Sequence, residues 1–313
     1  MSEGDFQILA VAQSDVVGDE QLGSKEKFWF RRDGKLWLFK EARFITTPGG
    51  SFPTGEDWAE KVAAEIAHTL NIRAATVELA EFKGKRGCAS LNFTTRAQQL
   101  MHGNEVMAGN LDGYDREIRR PQADHTVENI VRAIRTMFPE QSTEHRAVLQ
   151  HLASYLVLDA LIGNTDRHHE NWGLLWQVRV DIDEVTEAGR LSKEYDVAPT
   201  FDHASSLGRE LLDETRLQHI ERQTVEKYLR AGRGGVFRPG GKHGESPLRL
   251  VELTAREYPD YFRPTLATLS NTPLAQLTGF VDRVPDERIT APARAFAKGV
   301  LGVAYDALRR IFQ

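Results

Sequence analysis

Two short aromatic runs near the start of the chain predict its first pair of strands. Residues 27–31 read KFWFR and residues 36–40 read LWLFK, and both are rich in the side chains typical of strands. Between the runs, Asp33 and Gly34 form a dipeptide that favours a tight hairpin turn. We therefore expect a β-hairpin whose second strand ends at Lys40, followed by a plain loop over residues 47–51.

The spacing of apolar residues then changes from that of a strand to that of a helix. The positions that recur at every fourth residue are Val62, Ile66 and Leu70. This period predicts a helix with one buried face. Asp57 is its expected N-terminal cap, with Glu60 three residues later as in a capping box. Strands expected over residues 76–82 and 88–93 complete a β-rich segment with one main helix.

The chain becomes mainly helical after residue 125. Helical spacing covers residues 126–137 and 146–162, and Gly163 and Asn164 are expected to end the second helix. A strand is expected over 174–180, Phe201 opens another short element, and the rest is helical apart from the glycine-rich segment 230–244. The pattern predicts an α+β chain with a β-rich part at 1–95 and a helical part at 96–313.

Composition excludes several classes of protein. The 313 residues include 40 Lys and Arg against 45 Asp and Glu, so the formal net charge is −5, and a generally basic nucleic-acid binder is not expected. The lone Cys88 excludes an intramolecular disulfide and a Cys-rich zinc module. The first residues do not read as a signal peptide, and the longest apolar stretch is too short to span a bilayer. We expect a soluble cytoplasmic protein without a membrane partner.

The densest polar cluster lies between an apolar helix and an apolar strand, over residues 164–172. Asp166 precedes Asn171 by five residues, and Asp202 follows about thirty residues later. Phosphoryl transfer requires a carboxylate that accepts or orients the proton of the attacking hydroxyl, and oxygen ligands for Mg²⁺. The Asp-x-x-x-x-Asn spacing is that of a kinase catalytic loop, and Asp202 matches the position of a second metal ligand.

Two upstream features fit the same chemistry. Lys40 ends an apolar strand, from which its ammonium group can reach a phosphate, and Glu60 or Glu65 on the next helix can pair with it. Glu60 is favoured because it lies nearer the start of the helix. The turn formed by Gly23, Ser24, Lys25, Glu26 and Lys27 can cradle phosphates with its backbone N–H groups.

These motifs together resemble those of HipA-like serine/threonine kinases. The segment LIGNTDRHHENWG at 161–173 is similar to their catalytic loop, GSKEK at 23–27 to their nucleotide loop, WLFK at 37–40 to their ATP-lysine strand, and Phe201-Asp202 to their metal-binding Asp. The resemblance implies a bilobed protein-kinase-like fold that binds ATP and Mg²⁺ between its lobes.

The same resemblance assigns roles to individual residues. It implies that Asp166 is the base, that Asn171 and Asp202 bind Mg²⁺, that His168 lies near the nucleotide, and that Lys40 binds the α- and β-phosphates. Residues 90–93 correspond to the hinge against adenine. The implied substrate is a Ser or Thr hydroxyl of a protein, and the resemblance leaves open an antitoxin-like protein partner. The nucleotide loop comes almost at once, so the extra N-terminal subdomain of full-length HipA is not expected.

Other interpretations fit parts of the sequence. A carboxylate–imidazole site for Zn²⁺, Mn²⁺ or Fe²⁺ in a metal-dependent hydrolase would use Asp166, His168, His169, Asp202 and His203. A phosphoinositide-type lipid kinase carries a similar loop, and a pseudokinase would bind without turnover. The basic segment 230–242 could bind phosphate, RNA or an acidic substrate, but we favour a solvated loop.

Overall fold

The structure, a computed structural model, describes residues 4–19, 27–47, 50–138, 142–182 and 189–313. Its strands, in chain order, are β1 (Ile8–Val11), β2 (Val16–Asp19), β3 (Lys27–Arg32), β4 (Lys35–Glu41), β5 (Phe44–Thr47), β6 (Gly50–Pro53), β7 (Val77–Phe82), β8 (Lys85–Leu91), β9 (Gln99–His102), β10 (Gly173–Ile182) and β11 (Gly189–Val197). Its helices are α1 (Glu56–Thr69), α2 (Gly103–Asn110), α3 (Val127–Met137), α4 (Thr143–Ile162), α5 (Asp213–Glu221), α6 (Val225–Ala231), α7 (Pro247–Glu257), α8 (Pro259–Asn271), α9 (Leu274–Asp282) and α10 (Ala291–Arg309).

Six of the described strands up to Leu91 form one sheet with the order β1-β7-β8-β4-β3-β2, while β5 and β6 pair separately. The expected hairpin between β3 and β4 is confirmed. Asp33 and Gly34 both have positive φ, at 51° and 72°, as a two-residue type I′ turn requires. The antiparallel pair β7 and β8 turns in the same way at Lys83 and Gly84.

One face of this sheet is an aromatic core. Phe28, Phe30, Phe39 and Phe82 are buried there, and the rings of Phe28 and Phe39 stack with centroids 4.9 Å apart. Successive side chains on a strand point to opposite faces. Because Phe39 occupies the aromatic core, Lys40 points to the other face, where the rest of the protein packs.

Helix α1 packs against that other face, but its N-terminus differs from expectation. The helix begins at Glu56 after Gly55, so Asp57 lies inside the first turn and is not the cap. The Asp57 carboxylate is fully buried and forms ion pairs with Arg86 at 2.7 Å and Arg288 at 3.3 Å. The cap prediction is wrong because these two arginines draw the carboxylate into the interior.

Two further predictions, the loop over residues 47–51 and the element at Phe201, are also wrong. Phe44–Thr47 and Gly50–Pro53 pair as an antiparallel hairpin where the plain loop over 47–51 was expected; residues 48 and 49 lie outside the described ranges. No helix or strand begins at Phe201. The chain there follows an isolated bridge between Ala74 and Thr200.

The helical part is organised around α4. Helix α4 begins at Thr143, three residues earlier than expected, because Ser142 caps it by accepting a hydrogen bond from the His145 backbone N–H. Gly163 ends it in the left-handed conformation, as predicted. The expected strand over 174–180 is confirmed inside β10, which pairs with β9 and β11.

A single large hydrophobic cluster includes side chains of α1, α3, α4 and the C-terminal helices. The β-rich part and the helical part therefore share a core. In the described ranges, no helix is both long enough and apolar enough to cross a membrane.

Candidate active site

The strand-borne lysine and the downstream aspartate predicted from sequence meet in the structure. Lys40 Nζ lies 2.7 Å from Asp202 Oδ1, and both side chains remain partly exposed. Burial disfavours the positive charge of Lys40, but the nearby carboxylates of Asp202 and Glu60 outweigh burial and raise the pKa of Lys40 above its usual range. The lysine therefore stays protonated at neutral pH and can bind an anion.

The chain conformation at Asp202 is unusual for a residue other than glycine. Asp202 has a φ of 64°, in the left-handed region that Asp tolerates better than most residues. The charge of Lys40, opposed by burial, holds the pKa of the Asp202 carboxyl far below its usual range, and Lys27 lowers it further. The carboxylate is thus ionised, as a metal ligand must be.

Glu60 on α1 acts electrostatically on both Lys40 and Asp202. It is almost fully buried, and its Oε1 lies 3.4 Å from Nδ1 of His203, whose Nε2 is 2.9 Å from Thr200 Oγ1. Burial alone would raise the pKa of Glu60, but the hydrogen bond and charge of His203 and the charge of Lys40 lower it. By contrast, the alternative Glu65 pairs with Lys61 at 2.6 Å.

The loop after α4 is held by a buried ion pair that sequence analysis missed. Arg167 donates to both carboxylate oxygens of Asp159, from Nε at 2.7 Å and from Nη2 at 2.9 Å. Its Nη1 also donates to the backbone carbonyl of Asn171. The available signal was Asp159 itself, a carboxylate in the otherwise apolar end of α4 over residues 155–162, with an arginine eight residues later.

Side-chain amides define the rest of the loop. Asn164 Nδ2 donates to Asp159 Oδ1 at 2.7 Å, and Asn164 Oδ1 accepts the Asp166 backbone N–H at 3.1 Å. Asn171 Nδ2 donates to the carbonyl of Asp166 at 2.8 Å. Within the described residues, no hydrogen bond uses Asn171 Oδ1, so this oxygen is available as a ligand.

The loop also contacts the segment that carries Asp202. The Thr165 backbone N–H donates to the Ser205 carbonyl at 3.3 Å, and Leu207 N–H donates to the Ile162 carbonyl at 2.8 Å. The structure therefore brings the loop with Asp166 and Asn171 beside Asp202. The partly exposed carboxylate of Asp202 and the Oδ1 of Asn171 are hard oxygen donors, which fit Mg²⁺.

Asp166 has an ionic partner that the sequence did not suggest. The guanidinium of Arg120 forms an ion pair with Asp166 Oδ1. His168 Nε2 lies 3.9 Å from the same oxygen, too far for a hydrogen bond. His168 Nδ1 accepts the Glu170 backbone N–H at 3.2 Å. Burial, with the charge of Arg120, lowers the pKa of His168 to about 4, so the ring is neutral at pH 7 with its proton on Nε2.

The ligand set of the hydrolase alternative is not assembled. His169 Nδ1 is hydrogen-bonded to the Tyr114 hydroxyl at 2.8 Å, and His203 is bound to Glu60 and Thr200. Among the described side chains, no group of three or more His, Cys, Asp or Glu could hold one metal ion.

The predicted phosphate-binding turn is described only at its last residue. Gly23, Ser24 and Lys25 lie outside the described ranges. Lys27 opens β3 and lies directly opposite Lys40 in the register of β3 and β4. The chain that follows this turn therefore leads into the strand next to the one that carries Lys40.

Comparison with known proteins gives matches along most of the chain. The family model described as HipA-like C-terminal domain matches residues 20–234. The serine/threonine-protein kinase CtkA of Helicobacter pylori strain J99 is 28% identical over 150 residues, which span 48% of this chain and 40% of that protein. The match thus covers less than half the length of this relative.

Two solved structures share the fold. A structure of the proinflammatory kinase CtkA of Helicobacter pylori superposes with a TM-score of 0.74 at 18% identity, covering 97% of both chains. A chain of the Shewanella oneidensis MR-1 toxin–antitoxin complex of HipA, HipB and operator DNA superposes with a TM-score of 0.55 at 10% identity, covering 96% of this chain and 68% of that one. The α+β kinase-like fold expected from the sequence is confirmed.

Proposed function

The chain belongs to the HipA-like C-terminal domain family, and we propose that it is a kinase that transfers the γ-phosphoryl group of ATP to a Ser or Thr hydroxyl of a protein. The observation that carries this proposal is the convergence of separate parts of the chain on one cleft. Lys40 of the sheet contacts Asp202, and the segment after Asp202 is hydrogen-bonded to the loop of Asp166 and Asn171. These are the residue types that phosphoryl transfer requires.

Each side chain has a distinct role in the proposed reaction. The Asp166 carboxylate accepts the proton of the attacking hydroxyl. His168 beside it already carries a proton on Nε2, and its Nδ1 accepts the Glu170 N–H, so the carboxylate is the available proton acceptor. The Lys40 ammonium group binds phosphate oxygens. Glu60, which pairs with His203, attracts the Lys40 ammonium group by its opposite charge. Asn171 and Asp202 would hold Mg²⁺, which when bound neutralises charge on the phosphate oxygens.

The same proposal extends to the segments that resemble the nucleotide loop and the hinge of HipA-like kinases. We propose that the backbone of Gly23, Ser24, Lys25 and Lys27 covers the phosphates, and that residues 90–93 contact adenine. We place the boundary between a nucleotide-binding lobe at 1–95 and a catalytic lobe at 96–313. This boundary is supported by the six-stranded sheet, whose strands end at Leu91. The antitoxin-like partner, a role as toxin and a cytoplasmic location stay predictions.

A phosphate-transfer assay tests the proposal. Purified protein is incubated with γ-labelled ATP and Mg²⁺, with either lysate proteins or phosphoinositide vesicles added. We expect label on Ser or Thr of protein, and a fall of about 100-fold or more in Asp166→Asn, since general bases contribute about 10²–10⁴-fold. Asp306→Asn, which changes an exposed carboxylate on α10, is the matched control.

The outcomes separate the alternatives. Label on lipid would favour a lipid kinase, whereas ATP binding without transfer to any acceptor would favour a pseudokinase. Full transfer by Asp166→Asn would reject Asp166 as the base while leaving the kinase assignment intact. Calorimetric titration with ATP shows whether each variant still binds nucleotide.

A further inference from the structure

A second cleft opens beside Asp166, between residues 119–122 and the glycine-rich segment 233–244. It has a volume of about 250 Å³. Its permanent positive charges are Arg119, Arg120, Arg233 and Lys242, and no Asp or Glu lines it. We call these four residues, with His169, the cationic cleft. The concentration of positive charge contrasts with the net charge of −5 for the whole chain.

The glycine-rich segment is docked against the catalytic loop, so the expectation of a solvated loop is wrong for its centre. Val236 and Phe237 are buried, and the Phe237 backbone N–H donates to the His125 carbonyl at 2.9 Å. A Cβ atom at Gly235 would lie 2.7 Å from both the Arg167 carbonyl oxygen and the His168 nitrogen. Only glycine allows this approach, which fixes the segment beside the loop.

Two of the four cations neutralise carboxylates of the catalytic loop, and two do not. Arg120 pairs with Asp166, and Arg119 Nε lies 3.4 Å from Glu170 Oε2. Arg233 and Lys242 are exposed, and neither forms an ion pair with any residue in the described ranges. The cleft thus keeps two positive charges that no nearby carboxylate of a described residue neutralises.

A buried ring nitrogen in the cleft also lacks a partner. His169 is fully buried, and its Nε2 has no hydrogen-bond partner among the described residues. Its Nδ1 shares a hydrogen bond with the Tyr114 hydroxyl at 2.8 Å, which leaves Nε2 as the unpaired ring nitrogen. In the tautomer in which the Tyr114 hydroxyl donates to Nδ1, the ring proton lies on Nε2, where an anionic oxygen can accept it.

We propose that the cationic cleft binds an acidic side chain of the protein substrate next to the hydroxyl that is phosphorylated. The inference rests on the proposed kinase function, because Arg120 links the cleft to the proposed base. Its ligand chemistry is an anionic oxygen group, supplied by either an Asp or Glu carboxylate or a phosphorylated residue. A nucleic acid would require an extended row of cations at phosphate spacing, whereas this cleft offers two unpaired cations in one pocket.

Binding of labelled peptides tests the proposal without requiring catalysis. Peptides with a central Ser are flanked by Glu, phosphoserine, Gln or Lys, and their Kd is measured by fluorescence anisotropy at 50 mM and 500 mM salt. We expect the Glu or phosphoserine peptide to bind about three- to tenfold more tightly than the Gln peptide at low salt, because exposed ion pairs are individually weak. Salt screens such pairs, so the preference should be lost at 500 mM salt. Whichever of the Glu and phosphoserine peptides has the lower Kd identifies the preferred anion.

The double variant Arg233→Ala, Lys242→Ala should bind all four peptides with the affinity of the Gln peptide. Arg238→Ala removes an exposed arginine of the same segment that does not line the cleft, and it should keep the wild-type preference. Equal affinity of wild type for the Glu, phosphoserine and Gln peptides would overturn the proposal, as would an unchanged preference in the double variant. Tighter binding of a 20-nucleotide RNA, abolished in the double variant, would replace it with an RNA site.

Phosphorylation of the same peptides separates this proposal from the kinase assignment. We expect kcat/KM for the preferred peptide to fall in the double variant mainly through a higher KM. Peptide preference without any phosphoryl transfer would reject the kinase assignment and keep the anion site. Transfer with equal kcat/KM for acidic and neutral peptides would reject the anion site and keep the kinase.

Discussion

Charged side chains enter the interior of this protein only with partners, as far as the described ranges extend. At the edge of the interior, the partly exposed Lys40 and Asp202 are 162 residues apart in sequence and 2.7 Å apart in the fold. Asp159 pairs with Arg167, and Glu60 with His203. A buried pair gives little net stability because both ions lose water, but the loss of one partner leaves an expensive unpaired charge. These pairs therefore fix the relative positions of the segments around the cleft.

His125 shows how a neutral residue serves the same purpose. Its Nε2 accepts the Trp172 indole N–H at 3.0 Å, so its proton lies on Nδ1, which donates to the Gly235 carbonyl at 2.8 Å. Complete burial lowers the pKa of His125 to about 3, against only partial compensation from the Gly235 carbonyl. The ring thus connects the catalytic loop to the glycine-rich segment while remaining uncharged.

This shift predicts a loss of stability in mild acid. The unfolded chain protonates His125 near pH 6.5, whereas the folded chain does not until about pH 3, so the unfolded state binds more protons between these values. The free energy of unfolding should therefore fall as pH drops below about 6.5, with His125 contributing roughly 2 kcal/mol between pH 7 and pH 5. Urea unfolding at several pH values measures it.

The variant His125→Gln isolates this contribution from those of other histidines. Glutamine can accept and donate hydrogen bonds but does not titrate, so the variant should be less stable at pH 7 yet lose less stability on going to pH 5. His68→Gln, at an exposed position on α1, is the control and should keep the wild-type pH dependence. Parallel stability curves for wild type and His125→Gln would contradict the assignment.

At the scale of elements, the loop from Gly163 to Trp172 depends on one buried arginine. Arg167→Met should destabilise the fold by about 3–5 kcal/mol, because Asp159 is left charged and unpaired in the interior. The catalytic rate should fall as well, since the contact of Arg167 with the Asn171 carbonyl is lost. Chemical denaturation and the phosphate-transfer assay measure the two effects.

An arginine with exposed partners gives the comparison for this change. Arg230→Met removes ion pairs with Glu226 and Glu252 on the protein surface, where such pairs contribute about 0–1 kcal/mol. If both variants lost similar stability, the buried pair would not have the structural importance inferred here. Replacement of both Asp159 and Arg167 by apolar residues should restore part of the stability lost in Arg167→Met.

Elements set by local chemistry were predictable from the sequence, and those set by distant partners were not. Asp33-Gly34 specifies its own turn, and the apolar period of α4 with Gly163 behind it specifies both the helix and its end. Strand β1 exists because Ile8 and its neighbours pair in parallel with β7, some seventy residues later. Asp57 has the sequence signature of a cap, but Arg86 and Arg288 determine its position.

The same distinction holds for the candidate site. Asp166, Asn171 and Asp202 could be singled out because their spacing carries the pattern of a known chemistry. Arg120 lies in no such pattern, and the sequence suggests His203 only as a metal ligand. The contacts of these two residues with Asp166 and Glu60 follow only from the fold. Long-range electrostatic partners leave little trace in a single sequence.

The β-rich part and the helical part contact each other outside the cleft as well. The Phe6 backbone N–H donates to the Arg283 carbonyl at 2.7 Å, and Arg288 binds both Asp57 and Glu81. Helix α1, which positions Glu60, packs in the same hydrophobic cluster as α4 and α10. Glu60 is therefore anchored by the core that the two parts share.

This arrangement predicts how ligands stabilise the molecule. A ligand that binds only the folded state stabilises it by about 2.7 kcal/mol at one hundred times its Kd. Wild type should have a higher melting temperature with ATP and Mg²⁺ than with ATP and a chelator, because the proposed ligands Asp202 and Asn171 add metal contacts in the first mixture alone. Asp202→Asn should show the same melting temperature in both mixtures, since a neutral amide is a much weaker Mg²⁺ ligand than a carboxylate. Asp306→Asn should behave like wild type. A full Mg²⁺-dependent increase in the melting temperature of Asp202→Asn would show that Asp202 is not a metal ligand. Melting with ATP alone would then still test the contact between Lys40 and the phosphates.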